Sequence, residues 1–125
     1  MEPQIRIISW GEFLPLVQLL KQPKVRASVY FGAEHVSGYP VGVSEVHWKG
    51  GRSGCAWLES VVVDPDYRGQ GIATALVRHM VEYSKAEGFE RARANCLLTS
   101  LGVFERCGFR RIRKGKNGYR VELVW

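Results

Sequence analysis

The feature that most constrains this chain is Val61 to Ala75, VVVDPDYRGQGIATA. Three consecutive valines end a strand-like run, Asp64-Pro65-Asp66 stops it, Gly69-Gln70-Gly71 turns, and a helical pattern follows at once. Such an order places the open end of a helix at a strand terminus, where unpaired backbone N–H groups and the positive end of the helix dipole attract an anion. Glycines let backbone approach a ligand closely, and Arg68 adds a fork suited to phosphate oxygens. The segment reads as a phosphate site. A Walker loop is excluded because no GK[ST] occurs. The dinucleotide fingerprint fails at its third small residue, where Thr74 stands.

The rest of the chain agrees with one domain. Its 125 residues leave no room for two, and 46 % apolar with 24 % charged residues is the balance of a globular domain. No apolar run reaches the roughly 18 to 20 residues of a membrane span. Met1 to Gln4 shows no basic-then-apolar leader, and Cys55, Cys96 and Cys107 are an odd count. The expectation is therefore reduced thiols and a cytoplasmic protein with no metal site.

Periodicity predicts a first strand at Gln4 to Ile8 and a helix over Trp10 to Gln22. Strands are expected at Val25 to Ala33, Tyr39 to Trp48 and Cys55 to Val63. The valine run suggests burial on both faces. A four-turn helix runs from Ile72 to Glu87 with Ile72, Ala75, Leu76, Met80 and Tyr83 on one stripe, ended by Gly88. A strand at Arg91 to Leu98 and a short helix at Ser100 to Cys107, capped by Ser100, come next. Strands at Phe109 to Arg113 and Tyr119 to Trp125 flank a Gly115 to Gly118 turn. The order is β-α-β-β-β-α-β-α-β-β, an α/β or α+β sheet with helices packed against it.

Arg68-Gly69-Gln70-Gly71-Ile72-Ala73 matches the signature [RQ]-x-x-G-x-[GA] of the GNAT superfamily of acyl-CoA-dependent N-acyltransferases. The chain also resembles that family in V-x-V-D-P-x-Y before the loop and in Phe104-Glu105-Arg106-Cys107-Gly108-Phe109 near the end. The resemblance covers nearly the whole chain, most firmly Ala56 to Phe109. It implies a mixed, mostly antiparallel sheet and a single domain over residues 1–125, with acetyl-CoA as co-substrate and no metal. Loop N–H groups of Arg68, Gly69, Gln70, Gly71, Ile72, Ala73 and Thr74 would hold the pyrophosphate. Val61, Val62 and Val63, on a strand that splays from its neighbour, would pair with the pantetheine arm. An N–H near Val62 or Val63 would stabilise an oxyanion.

The implied reaction is acetyl transfer to a primary amine of a small molecule or peptide. A lysine-like amine, with a pKa of about 10.4, must lose a proton before it attacks a thioester. Glu59, nine residues before the loop arginine, is the candidate base, and burial would raise its pKa. Glu45 and His47 on the preceding strand are lesser candidates, and His35 and His79 read as surface. Where many family members carry an acid tyrosine, this chain has Phe104, and Tyr119 and Cys107 are weak substitutes. A tyrosine restored at 104 is expected to be neutral or activating. Trp10, Phe13, Tyr30, Phe31, Tyr39 and Trp48 sit at core spacing and name no acceptor.

Two other readings stand beside this one. The first is an acyl-CoA-binding regulatory module of the same fold that turns over weakly or not at all, as Phe104 suggests. The second is a basic nucleic-acid-binding domain built on the run Arg110 to Lys116, whose simpler reading is a solvated strand end and turn. Net charge is +6, which suits any polyanion. By analogy with the family, Tyr119 to Trp125 would pair two copies as a homodimer.

Overall fold

The computed structural model describes residues 3–9, 12–13, 28–34, 38–48 and 54–125. The strands are β1 (Gln4–Ile8), β2 (Ser28–Glu34), β3 (Pro40–His47), β4 (Cys55–Val63), β5 (Arg91–Leu97), β6 (Arg110–Lys114) and β7 (Gly118–Val124). The helices are α1 (Ile72–Ala86) and α2 (Leu98–Arg106), and Pro65–Tyr67 forms a 3-10 turn. Together the strands make one seven-stranded sheet in the order β1-β2-β3-β4-β5-β7-β6. All pairs are antiparallel except β4 with β5. The expected mixed, mostly antiparallel architecture is present. The predicted helix over Trp10 to Gln22 lies outside the described residues apart from Glu12 and Phe13, which are helical.

Helix α1 lies on one face of the sheet. Leu76, Val77 and Met80 are fully buried there, each side chain contributing about 1.5–3 kcal/mol of apolar burial. The helix comes so close to β3 that only glycine fits at position 42. A Cβ there would stand 2.8 Å from Ile72 Cγ2 and 3.2 Å from Leu76 Cδ1. Ile72, Leu76 and Met80 of the expected stripe are buried, while Ala75 and Tyr83 are half-buried and Val77, Val81 and Ser84 complete the buried face. The stripe is thus wider and rotated toward the sheet. The second face carries a smaller cluster of Ile8, Phe13, Val43 and Val62, with Tyr30 against the Phe13 ring at 4.4 Å. Covered from both sides, β3 is buried from Val41 to His47, and this includes its charged residue, Glu45.

Two local expectations need correction. Of the three valines only Val62 is buried; Val61 and Val63 are half-buried, because β4 loses its neighbour where they stand. Ser100 is not an N-cap. Helix α2 begins at Leu98, with Leu97 at the cap position and no capping side chain, so Thr99 and Ser100 fall inside the first turn.

Among the aromatic residues, Phe13 and Phe31 are core and Trp48 packs on Phe89 at 5.8 Å. Tyr39 is 75 % exposed. His79 is exposed, as expected, at the edge of the Phe31 ring, and His35 lies outside the described residues.

Candidate active site

Strand β4 shapes the site by leaving its partner. It pairs with β5 only at Cys55↔Arg91, Ala56↔Ala92 and Trp57↔Arg93. From Leu58 to Val63 no strand among the described residues pairs with that side of β4, and a wedge opens between β4 and β5. On its other side β4 stays bonded to β3, with a bulge that makes Val43 oppose Val62 while Glu45 opposes Glu59. The bulge turns on Ser60, whose φ of +56° lies in the left-handed region that non-glycine residues rarely occupy. It lets Glu59 and Val62 share the face of Val43 and Glu45.

The chain then turns into the loop. Asp64 N–H bonds Val41 O at 2.8 Å, tying the end of β4 to β3. The Asp64 carboxylate accepts from Asp66 N–H at 2.9 Å and caps the 3-10 turn. Gly69 and Gly71 have φ of +79° and +82°, in the left-handed region that favours glycine. Gly71 is the N-cap of α1 and brings no capping side chain. The first intrahelical bond there is Ala75 N–H to Gly71 O at 3.0 Å, so the N–H groups at the mouth of α1 are left for another acceptor.

Arg68 folds back, donating from Nε to Val63 O at 3.1 Å. Its terminal nitrogens keep no acceptor among the described residues. Thr74 and Ala73 are half-buried in the first turn, Gln70 is exposed and Ile72 is buried as a core anchor. A cavity of about 150 Å³ lies over this loop, walled by Val63, Tyr67, Arg68, Thr74, Val103 and Arg106. Tyr67, Val103 and Arg106 were not singled out by the sequence. Arg106 offers a second guanidinium, and only the packing of α2 beside α1 reveals it. A wider groove of about 910 Å³ runs between β1 and the outer side of α1, but its wall carries Glu34 and Glu82 as well as Arg6 and Arg78, and Arg6 is paired with Glu34.

Glu59 lies on the far face of the sheet from α1, half-buried, with Oε1 at 3.1 Å from His47 Nε2. That is ion-pair distance, although the ring N–H is not aligned as a hydrogen bond. His47 is buried, and its Nδ1 has no partner among the described residues. The ring runs nearly parallel to Trp57, with centroids 6.4 Å apart. Glu45, fully buried, accepts from the Ser28 hydroxyl and faces Glu59 across the strands. The structure thus brings together the three residues the sequence offered as candidate bases, Glu59, Glu45 and His47.

The substitutes for a general acid are placed elsewhere. Phe104 is core, edge-on to Phe109 at 5.3 Å. The Cys107 thiol, pushed up by burial, is 3.8 Å from Thr74 O at the first turn of α1. Tyr119 lies under the Arg111 guanidinium at 4.8 Å. Among the described residues no group of three His, Cys, Asp or Glu side chains is arranged to hold a metal ion.

A splayed parallel strand pair beside an uncapped, glycine-led helix defines a class of fold with an anion cradle at the mouth of a wedge. The sequence profile described as the acetyltransferase (GNAT) family matches residues 4–109, and the chain belongs to that family. A glucosamine 6-phosphate N-acetyltransferase of Trypanosoma brucei brucei is 39 % identical over 62 residues, 50 % of this chain and 42 % of that protein. The chain thus spans less than half the length of this curated relative.

Two of the solved structures that share the fold hold CoA or acetyl-CoA, by their descriptions. One is Mycobacterium tuberculosis Rv2747 in complex with CoA and NLQ, with a TM-score of 0.80 and 19 % identity over 98 % of this chain and 99 % of that one. The other is a GNAT family acetyltransferase from Elizabethkingia anophelis with acetyl-CoA bound, with a TM-score of 0.79 and 14 % identity over 99 % of both chains.

Proposed function

We propose that this protein transfers an acetyl group from acetyl-CoA to a primary amine. The observation that carries the reading is the continuity of one strand with one helix mouth. From Val61 to Val63, strand β4 presents an edge that no strand among the described residues pairs with on the β5 side, and it leads through the loop to the uncapped start of α1 at Gly71. The loop N–H groups, with Arg68 and Arg106, would take the pyrophosphate, and the free edge at Val61, Val62 and Val63 would bond the pantetheine amides in place of a strand.

The amine nitrogen then attacks the thioester carbonyl. A β4 N–H near Val62 or Val63 stabilises the oxygen of the tetrahedral intermediate. Glu59 takes the ammonium proton, directly or through water, with His47 holding its carboxylate. Collapse breaks the C–S bond, and the second proton lost by the nitrogen goes, directly or through water, to the departing thiolate, leaving the amide and CoA thiol. The glucosamine 6-phosphate that the trypanosomal relative acetylates, by its name, is a reasonable first acceptor to try.

The test has two arms. A thermal melt with millimolar acetyl-CoA is compared with one in adenosine diphosphate. Acetyl-CoA at about 100 times its Kd adds near 2.7 kcal/mol and raises Tm by several degrees, more than the control does. Arg68→Glu is expected to lose the shift while keeping its own fold. In the second arm, thiol release is followed over a panel of amines, and Glu59→Gln is expected to lower kcat. A second reading is favoured by Phe104, which holds the position of the family's acid tyrosine yet is buried in the core. On that reading the protein binds acyl-CoA without turnover, and the melt shifts while no amine releases thiol.

A further inference from the structure

The sheet has an arginine-rich face that the linear sequence does not display. On β5, Ala92, Ala94 and Cys96 point to the helices and are buried, so Arg91, Arg93 and Asn95 point the other way. Cross-strand partners share a face, and the register Arg93↔Glu122, Asn95↔Arg120 and Arg113↔Arg120 adds residues of β7 and β6 to it. Glu122 is the carboxylate within this group. It is fully used, meeting Arg93 Nε at 2.7 Å and Arg110 at 3.5 Å.

Toward the other end of the same strands the positive charge is unbalanced. A cavity of about 320 Å³ opens there, lined by Asn95, Leu97, Arg113, Lys116, Asn117 and Arg120 among others, with no carboxylate in its wall. None of its three cations meets an acid among the described residues. Arg120 is also held in place. Its guanidinium lies over Trp57 at 5.0 Å and its Nε donates to Asn95 Oδ1 at 3.0 Å. Its two terminal nitrogens have no protein acceptor among the described residues, which leaves a pre-oriented fork for an anion.

This cavity is on the side of Glu59. Trp57 precedes Glu59 by two residues on β4, so both project to one face. Trp57 also touches Arg120 on one side and stacks on His47 on the other. The cavity therefore sits beyond the wedge at the β6–β7 turn, and its Asn95 and Arg120 lie on the sheet face where the proposed base waits.

From this placement we infer that the acceptor is a small anionic amine, a phosphate monoester or a carboxylate, whose charged group sits among Arg113, Lys116 and Arg120 while its amine reaches toward Glu59. The inference rests on the proposed acetyl transfer and narrows its substrate class. A polymeric polyanion is a poorer fit, because Glu122 sits between two of the face's arginines and three cations line one small cavity whose wall holds no carboxylate.

The test compares matched acceptors: glucosamine with glucosamine 6-phosphate for the phosphate arm, and an amino acid amide with its free acid for the carboxylate arm. The expected result is a kcat/KM at least tenfold higher for the charged member of one pair. Arg120→Gln should cut that charged-to-neutral ratio about tenfold, and Lys116→Gln, at an exposed turn position, about threefold. Equal ratios in wild type and both variants would overturn the inference while leaving acetyl transfer intact. If no amine of any kind releases thiol, the proposed function falls instead.

The anion site is then read alone, by titrating inorganic phosphate into protein saturated with CoA, so that the loop is already filled. Saturable binding that Arg120→Gln abolishes supports the site, and none overturns it. Tighter retention of single-stranded DNA than of phosphate would overturn it in favour of a nucleic-acid surface.

Discussion

Phe104 shows how one side chain can answer two questions. Read along the chain, it stands where a proton donor is wanted, and a tyrosine there looks harmless or helpful. Packed against Phe109 and 4 % exposed, its ring instead belongs to the core. A hydroxyl added there would be buried in apolar surroundings, at a cost of about 1–3 kcal/mol without a partner. Phe104→Tyr is therefore expected to lower Tm by several degrees with no gain in rate, and paired melting curves and thiol-release rates check it.

Glu122 gives the residue scale its pH dependence. The hydrogen bond from Arg93, helped by Arg110, holds its carboxyl below the usual range. A depressed acid contributes stability that is complete above its unfolded pKa, about 4.3, and that is lost as pH falls through the lower folded value. Glu122→Gln should flatten the fall in Tm between pH 5 and pH 3 relative to wild type.

At the scale of elements, the strand-loop-helix unit was the most readable part. Strand β4 has its expected bounds, and α1 ends one residue early. Both elements follow from a local apolar run, two glycines and a 3.6-residue period, all of which are visible in sequence. What escaped depends on neighbours. The bulge at Ser60 answers to register with β3, the short pairing of β4 answers to the divergence of β5, and the role of Arg106 answers to where α2 lies. The cap at Ser100 failed because a serine near a helix start competes with other first-turn positions.

Gly71 tests the unit directly. Nothing lies within 4 Å of a Cβ built there, so alanine meets no clash and pays only for the left-handed backbone, about 1–2 kcal/mol. Gly71→Ala should lower Tm by several degrees and weaken acetyl-CoA binding, as titration calorimetry would record.

For the whole molecule, the sheet order decides which strands meet solvent. Strand β7, expected to pair two copies, is bonded on both sides, by β5 and β6. The strand left at that edge is β6, Arg110–Lys114, exposed along its whole length and carrying four cations in five residues. Antiparallel self-pairing would set like charges opposite one another, which is unfavourable, and charged edges discourage strand addition. Sedimentation equilibrium at low salt should therefore find no dimer formed through this edge. Buried Glu45 belongs to this scale as well. Its burial requires cover on both sheet faces, which no local pattern in YPVGVSEVHW announces.

The three residue pairs that join β4 to β5 also divide the molecule mechanically. On one side stand four strands, on the other three, and a seam of three rungs joins them beneath α1. A chain-like ligand laid along the open edge would act as a missing rung-bearer, lengthening the seam without adding a residue. The bound protein would then resist parting along this seam more than the empty one, above a core that the two sides already share beneath the helix.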